Sequence, residues 1–256
     1  GSSQYAIFGG GYYSGYKAVS TVDAYDQYLA RTILQALDRA TYYLAATTVN
    51  DISLFGGGEY REYVDSIYTS FYSSDMTAYD RDLAKIIPEN MSFQSYHPTA
   101  TTIGEYALFA YGTAINAYDG SLTRTSPTPP SLAHSILVSN ENYAVYFGDL
   151  SDKVTAYDKN LTRSIPTVLS EQRSNDIAAR AGNYALLVLG NSVNAYDLFL
   201  TRTIVEKSDG MNRGNAATTV RDFAIFADES TTVYDPYLTM TIVTGLTQYY
   251  RTGNVA

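Results

Sequence analysis

Groups able to do chemistry crowd into two stretches of the chain, Tyr12 to Ser20 and Glu59 to Asp75. They hold Tyr12, Tyr13, Tyr16, Lys17, Tyr60, Arg61, Glu62, Tyr63, Tyr68, Phe71 and Tyr72 among Gly and Ser. Tyr with Ser and Gly is the composition of a recognition surface, because the ring offers contact area and a hydroxyl at small entropic cost. These residues form the expected partner-binding set, for a protein surface or a glycan. Alternatively, the rings pack on one another and hold long loops still.

Acid–base and nucleophilic chemistry has fewer handles. His97 and His134 are the only histidines, there is no cysteine, and two imidazoles do not make a metal cluster of the usual nitrogen and sulfur kind. No Gly-x-Ser-x-Gly nucleophile motif occurs. Glu59, Glu62, Asp65 and Asp75 share one stretch, and a glycosidase needs two carboxylates at a set separation. The expectation is a non-catalytic binding or scaffold domain with no cofactor. The rivals are a carbohydrate-active enzyme with carboxylates and arginines at an axial mouth, and an architectural repeat domain of a larger bacterial or viral surface protein.

The elements that must position these residues are visible as a repeat. Val22-Asp23-Ala24-Tyr25-Asp26 with Leu29 returns at Asp80, Asp119, Asp158, Asp197 and Asp235, at intervals of 54, 39, 39, 39 and 38 residues. Ahead of each copy runs an apolar segment, such as Tyr106-Ala107-Leu108-Phe109 or Tyr184-Ala185-Leu186-Leu187. Ahead of that runs a small-residue segment, such as Ala45-Ala46-Thr47-Thr48-Val49 or Ala216-Ala217-Thr218-Thr219-Val220, with Asn- or Gly-bearing turns between. Each unit reads as four short strands, rich in Val, Ile, Thr, Tyr and Phe and broken by turn residues. Four strands per unit of this length is a propeller blade.

The predicted fold is all-β: one six-bladed propeller over residues 1–256, with four antiparallel strands per blade. The chain starts at a second strand, so pairing of its two ends is expected to close the ring. Small residues suit a crowded inner strand. Tyr25, Tyr79, Tyr118, Tyr157, Tyr196 and Tyr234 are expected to bury their rings while the hydroxyl finds a partner. The six Asp residues of the repeat are expected to cap turns rather than to bind metal.

The pattern of small strand, short turn, apolar strand ending Gly-Gly, variable loop, Tyr-Asp strand and outer strand resembles the kelch repeat, and it runs through the whole chain. Gly9-Gly10-Gly11 and Gly56-Gly57-Gly58 keep the double glycine; the other units lack it, and no unit has the family's outer-strand Trp. The family's loop Arg corresponds to Arg39, Arg173, Arg213 and Arg251. The resemblance implies a propeller used mostly as a binding module. Arg39 and its counterparts are then expected to donate to carbonyls of a neighbouring blade, or else to ring the axis.

Charge narrows the partners. The net charge is −9 with only 17 Lys and Arg, against a nucleic-acid partner or an anionic membrane surface. No apolar run reaches the length of a membrane-spanning helix. The expected state in isolation is a monomer. Asn90-Met91-Ser92 and Asn160-Leu161-Thr162 match the glycosylation pattern but arise readily by chance.

Overall fold

The computed structural model describes residues 4–13, 17–64, 67–130, 135–148, 152–171, 177–190, 192–207, 216–227 and 231–243. Its strands form the six blades of an all-β propeller, each sheet antiparallel with neighbours in chain order. The chain divides into two compact units, Gly1–Pro129 and Pro130–Ala256.

In the first unit, blade one holds Tyr5–Gly9, Val22–Asp26 and Arg31–Ile33. Blade two holds Ala45–Val49, Ile52–Gly56, Met76–Tyr79 and Lys85–Ile86; blade three holds Thr99–Ile103, Tyr106–Tyr111, Ala114–Tyr118 and Arg124–Thr125. In the second unit, blade four holds Ser135–Ser139, Tyr143–Gly148, Val154–Asp158 and Arg163–Ser164. Blade five holds Ile177–Ala181, Tyr184–Val188, Val193–Tyr196 and Arg202–Val205. Blade six holds Ala216–Val220, Phe223–Ala227, Thr231–Tyr234 and Met240–Val243. Blade one thus has three strands among the described residues, and the expected closing strand falls on 244–256, outside them.

The burial follows from the layering of sheet on sheet. Ala107, Leu108, Phe109 and Ala110 of blade three are all fully buried, which is why second strands are apolar at consecutive positions. Inner strands of consecutive blades lie side by side, and small polar residues fit there: Thr47 Oγ1 and Thr102 Oγ1 are 2.8 Å apart.

Within each unit, third-strand tyrosines fasten a blade to the one before it. Tyr79, Tyr118, Tyr157, Tyr196 and Tyr234 are fully buried, and Tyr25 is half-buried. The Tyr118 hydroxyl donates to the Glu89 carbonyl at 2.9 Å, Tyr196 to Thr167 at 2.7 Å and Tyr234 to Glu206 at 2.6 Å. Tyr79 donates to the Gln35 carbonyl in the same way. In every case the acceptor follows the outer strand of the preceding blade. Burial pushes the Tyr79 and Tyr234 phenols up to about 12 and those of Tyr118, Tyr157 and Tyr196 higher still.

The six repeat Asp residues cap turns, as expected. Each Oδ1 accepts the N–H groups two and four residues on, for example Ser121 and Thr123 at Asp119, both 2.9 Å. The Leu between stands in the left-handed region in all six copies, φ 61–65°, where a non-glycine residue costs about 1–2 kcal/mol. Leu122, Leu200 and Leu238 offset this by packing on the neighbouring core, whereas Leu29 is exposed.

Candidate functional site

The described residues of both residue-rich stretches pair as antiparallel ribbons. Tyr12–Tyr13 pairs with Lys17–Ala18, and Glu59–Val64 pairs with Ile67–Tyr72 in a longer hairpin. The two triple-glycine segments launch them. Gly10, Gly11, Gly57 and Gly58 all have positive φ, at 69°, 105°, 71° and 93°. A Cβ on Gly58 would lie 2.5 Å from the Tyr42 carbonyl oxygen. That carbonyl accepts the Glu59 N–H at 2.7 Å while Tyr42 N–H donates back to Glu59 at 2.9 Å. Gly58 N–H donates to Ser95 at 2.9 Å, so the hairpin base is clamped to the segments entering blades two and three. Glycine here serves hairpin take-off, which explains why only the two blades with long insertions keep it.

Strand alternation sorts the hairpin's side chains to two faces. On one face, Tyr60 stacks on Phe71 at 5.5 Å, and the Arg39 guanidinium lies 4.0 Å over the Tyr60 ring. Arg39 Nε donates to Asp75 at 2.9 Å and Arg39 Nη1 to Glu62 at 3.3 Å. Arg39 therefore binds carboxylates, not the neighbouring-blade carbonyls expected of it. On the other face, Tyr42 donates its hydroxyl to Glu59, a buried carboxylate whose Oε1 also lies 3.6 Å from Arg61 Nε. Arg61 Nε in turn donates to Ser70 at 3.3 Å.

Around this carboxylate runs a chain of rings. Tyr12 meets Tyr42 at 5.6 Å and Tyr43 at 6.1 Å, and Tyr42 meets Tyr43 at 4.9 Å. The Tyr43 ring covers the His97 imidazole, 3.9 Å between centres and tilted by 32°. Tyr96 stands edge-on to His97 at 4.1 Å, and Tyr72 reaches Tyr96 at 5.6 Å. Tyr43 adopts φ 59°, an outlier for a bulky residue and a sign of strain held in place by its surroundings.

The electrostatics suit proton transfer. His97 is at the surface, yet the desolvation its neighbours impose holds its pKa below the ordinary value, while the charge of Glu59 works the other way. Burial and the bond to Glu59 raise the Tyr42 phenol. Burial and the neighbouring Tyr12 hydroxyl raise Tyr43. At neutral pH the site therefore presents a neutral His97 imidazole near the protonated phenols of Tyr42 and Tyr43.

Of the expected binding residues, Tyr12, Arg61 and Tyr72 join this cluster. Tyr60, Glu62 and Phe71 form the opposite face. Tyr63 and Tyr68 pair at 5.1 Å near the hairpin tip, 65% and 75% exposed. Lys17 is exposed on the short ribbon; the Tyr13 side chain and all of Tyr16 lie outside the described residues. So do His134, Asp65, Arg173, Arg213 and Arg251. Tyr42, Tyr43 and Tyr96 were not among the expected residues, and His97 stood out only as one of two histidines too few for a metal cluster. A signal existed: Tyr42-Tyr43 and Tyr96-His97 each stand three residues before a first strand, Ala45–Val49 and Thr99–Ile103, in consecutive blades. Among the described residues no group of three or more His, Cys, Asp or Glu is placed to hold a metal ion.

No protein-family model and no curated protein sequence matches this chain. Solved structures do. A catalytically inactive histidine-to-alanine variant of virginiamycin B lyase from Staphylococcus aureus, with quinupristin, is 9% identical over 94% of this chain and 85% of its own, with a TM-score of 0.66. A streptogramin B lyase is 9% identical over 96% and 85%, with a TM-score of 0.64. YjhT is 9% identical over 87% and 91%, with a TM-score of 0.61. These comparisons support the β-propeller without singling out the kelch repeat. They also overturn the expected non-catalytic binding scaffold, because two of these propellers are antibiotic lyases. At this identity the likeness establishes the architecture: the chain folds as a six-bladed β-propeller.

Proposed function

We propose that the chain is an enzyme of the elimination type, with His97 as its base. The observation that carries this reading is the His97 imidazole, flanked by the Tyr43 and Tyr96 rings at the surface and within the influence of the charge of the buried Glu59. A base for proton abstraction must be neutral before the step and stabilised as a cation after it. Partial desolvation by the flanking rings supplies the first condition and the charge of Glu59 the second. In the reaction, His97 takes a proton from a carbon next to an electron-withdrawing group. The neighbouring bond to the leaving group breaks, a carbon–carbon double bond forms, and the leaving group is protonated. The Tyr12 and Tyr43 hydroxyls of the same ring cluster serve as donors. One lyase of similar fold is solved with quinupristin, and the rings around His97 suit a ligand that stacks on them. The kelch resemblance enters only as a description of the repeat.

The test uses quinupristin and a set of cyclic and linear esters with an acidic α-hydrogen, followed by chromatography and mass spectrometry. The native chain is expected to yield products without added water, and His97→Gln to lose roughly a hundredfold or more of the rate. Absence of turnover across the set, or an unimpaired His97→Gln variant, refutes the reading.

A further inference from the structure

The second unit carries a groove that plays no part in the His97 site. Its volume is about 490 Å³, and it is walled by the turns of blades five and six, within the usual span of small-ligand clefts, about 300–1,000 Å³. The Phe199 and Tyr237 rings stand at its edges, 84% and 87% exposed. Asn183, Asp197 and Asp222 contribute polar groups to its wall. Its floor is a close approach of two turns: a Cβ on Gly182, which has φ 50°, would lie 2.8 Å from Pro236 Cβ.

Comparison of the six equivalent turns shows that the aromatic residues are not a by-product of the repeat. The place two residues after the capping Asp is held by Tyr28, Asp82, Ser121, Asn160, Phe199 and Tyr237. Its backbone N–H bonds to the Asp whatever the side chain, as at Asp82, Ser121 and Asn160. Folding the turn therefore requires no ring, and a ring so exposed gains almost nothing from burial. Three of the six turns nevertheless carry one, and two of these rings, Phe199 and Tyr237 of consecutive blades, line the same groove. Both signs of charge occur nearby, with Arg221 preceding Asp222 in its turn, which suits an uncharged ligand. Two rings with amide and carboxylate groups in the same lining match a flat, hydroxyl-rich molecule that stacks its C–H face and hydrogen-bonds its rim.

From this arrangement we infer that the groove between the blade-five and blade-six turns binds a neutral oligosaccharide, stacked on Phe199 and Tyr237 and hydrogen-bonded by Asn183 and Asp222. The site is independent of the chemistry at His97. The test is calorimetric titration and saturation-transfer NMR of the intact chain with cellotetraose, maltotetraose and N-acetylchitotetraose. At least one is expected to bind. Phe199→Ala and Tyr237→Ala should each weaken it roughly tenfold or more, with unchanged thermal unfolding. Phe199→Trp should retain binding, and Tyr28→Ala and His97→Gln should leave it as in the native chain. Failure of all three saccharides to bind, or native affinity in both alanine variants, overturns the inference.

Discussion

His97 owes its protonation behaviour to its neighbours, and that can be measured directly. Its pKa is expected below the ordinary histidine value of about 6.5, followed by NMR of the imidazole protons, with only one other histidine in the spectrum. Because desolvation lowers it and Glu59 raises it, Glu59→Gln should lower it further; an unmoved or raised value would separate the two groups electrostatically. The sign for stability is also fixed. A depressed folded-state pKa means that His97 contributes stability above the unfolded value, and that this contribution is lost as the pH falls through the folded one. Little of this could be read from the sequence. His97 precedes a strand and looks structural, while the rings that desolvate it come from two segments more than fifty residues apart.

The hairpin from Glu59 to Tyr72 is the element that brings Glu59 against Tyr42, and Gly58 is its weak point. With φ 93° and the Tyr42 carbonyl at its back, Gly58→Ala is strained in both conformation and space. The substitution is expected to cost upwards of about 1 kcal/mol and to displace the Glu59 backbone from Tyr42. Hydrogen exchange of the Glu59 and Tyr42 amides checks this: exchange should quicken there while the blade-three strands stay protected. At this scale the sequence was informative but ambiguous. The repeat located the insertions, and their tyrosines marked them as a surface of interest. Alternation along a hairpin then put Tyr60 and Phe71 on one side and Arg61 and Tyr72 on the other, a division invisible while the stretch reads as a loop. Gly56-Gly57-Gly58, read as a family signature, has a local cause in the hairpin's departure from the sheet.

For the whole molecule, the fully buried phenols of Tyr79, Tyr118, Tyr157, Tyr196 and Tyr234 set a limit on alkaline stability. Their folded-state pKa values are raised to about 12 or beyond, against about 10 in an unfolded chain. Stability from keeping them protonated is complete below pH 10 and is lost as the pH climbs through the folded values. A cooperative unfolding between roughly pH 10 and 12 is expected, with tyrosinate absorbance rising in step with loss of β-structure by circular dichroism. Titration of these phenols without unfolding would contradict their burial. The architecture itself was the most legible level, since a pattern repeated six times tolerates ambiguity in any one copy.

The hydroxyl contacts of Tyr79, Tyr118, Tyr196 and Tyr234 bear on how such a chain could be lengthened, shortened or recombined. Each tyrosine belongs to one sheet and its acceptor to the tail of the sheet before. A graft cut at sheet boundaries would sever every such contact at its ends, whereas one cut within the strands would carry donor and acceptor together. The portable module of this protein is therefore offset from the blade, running from one outer strand to the tyrosine of the next.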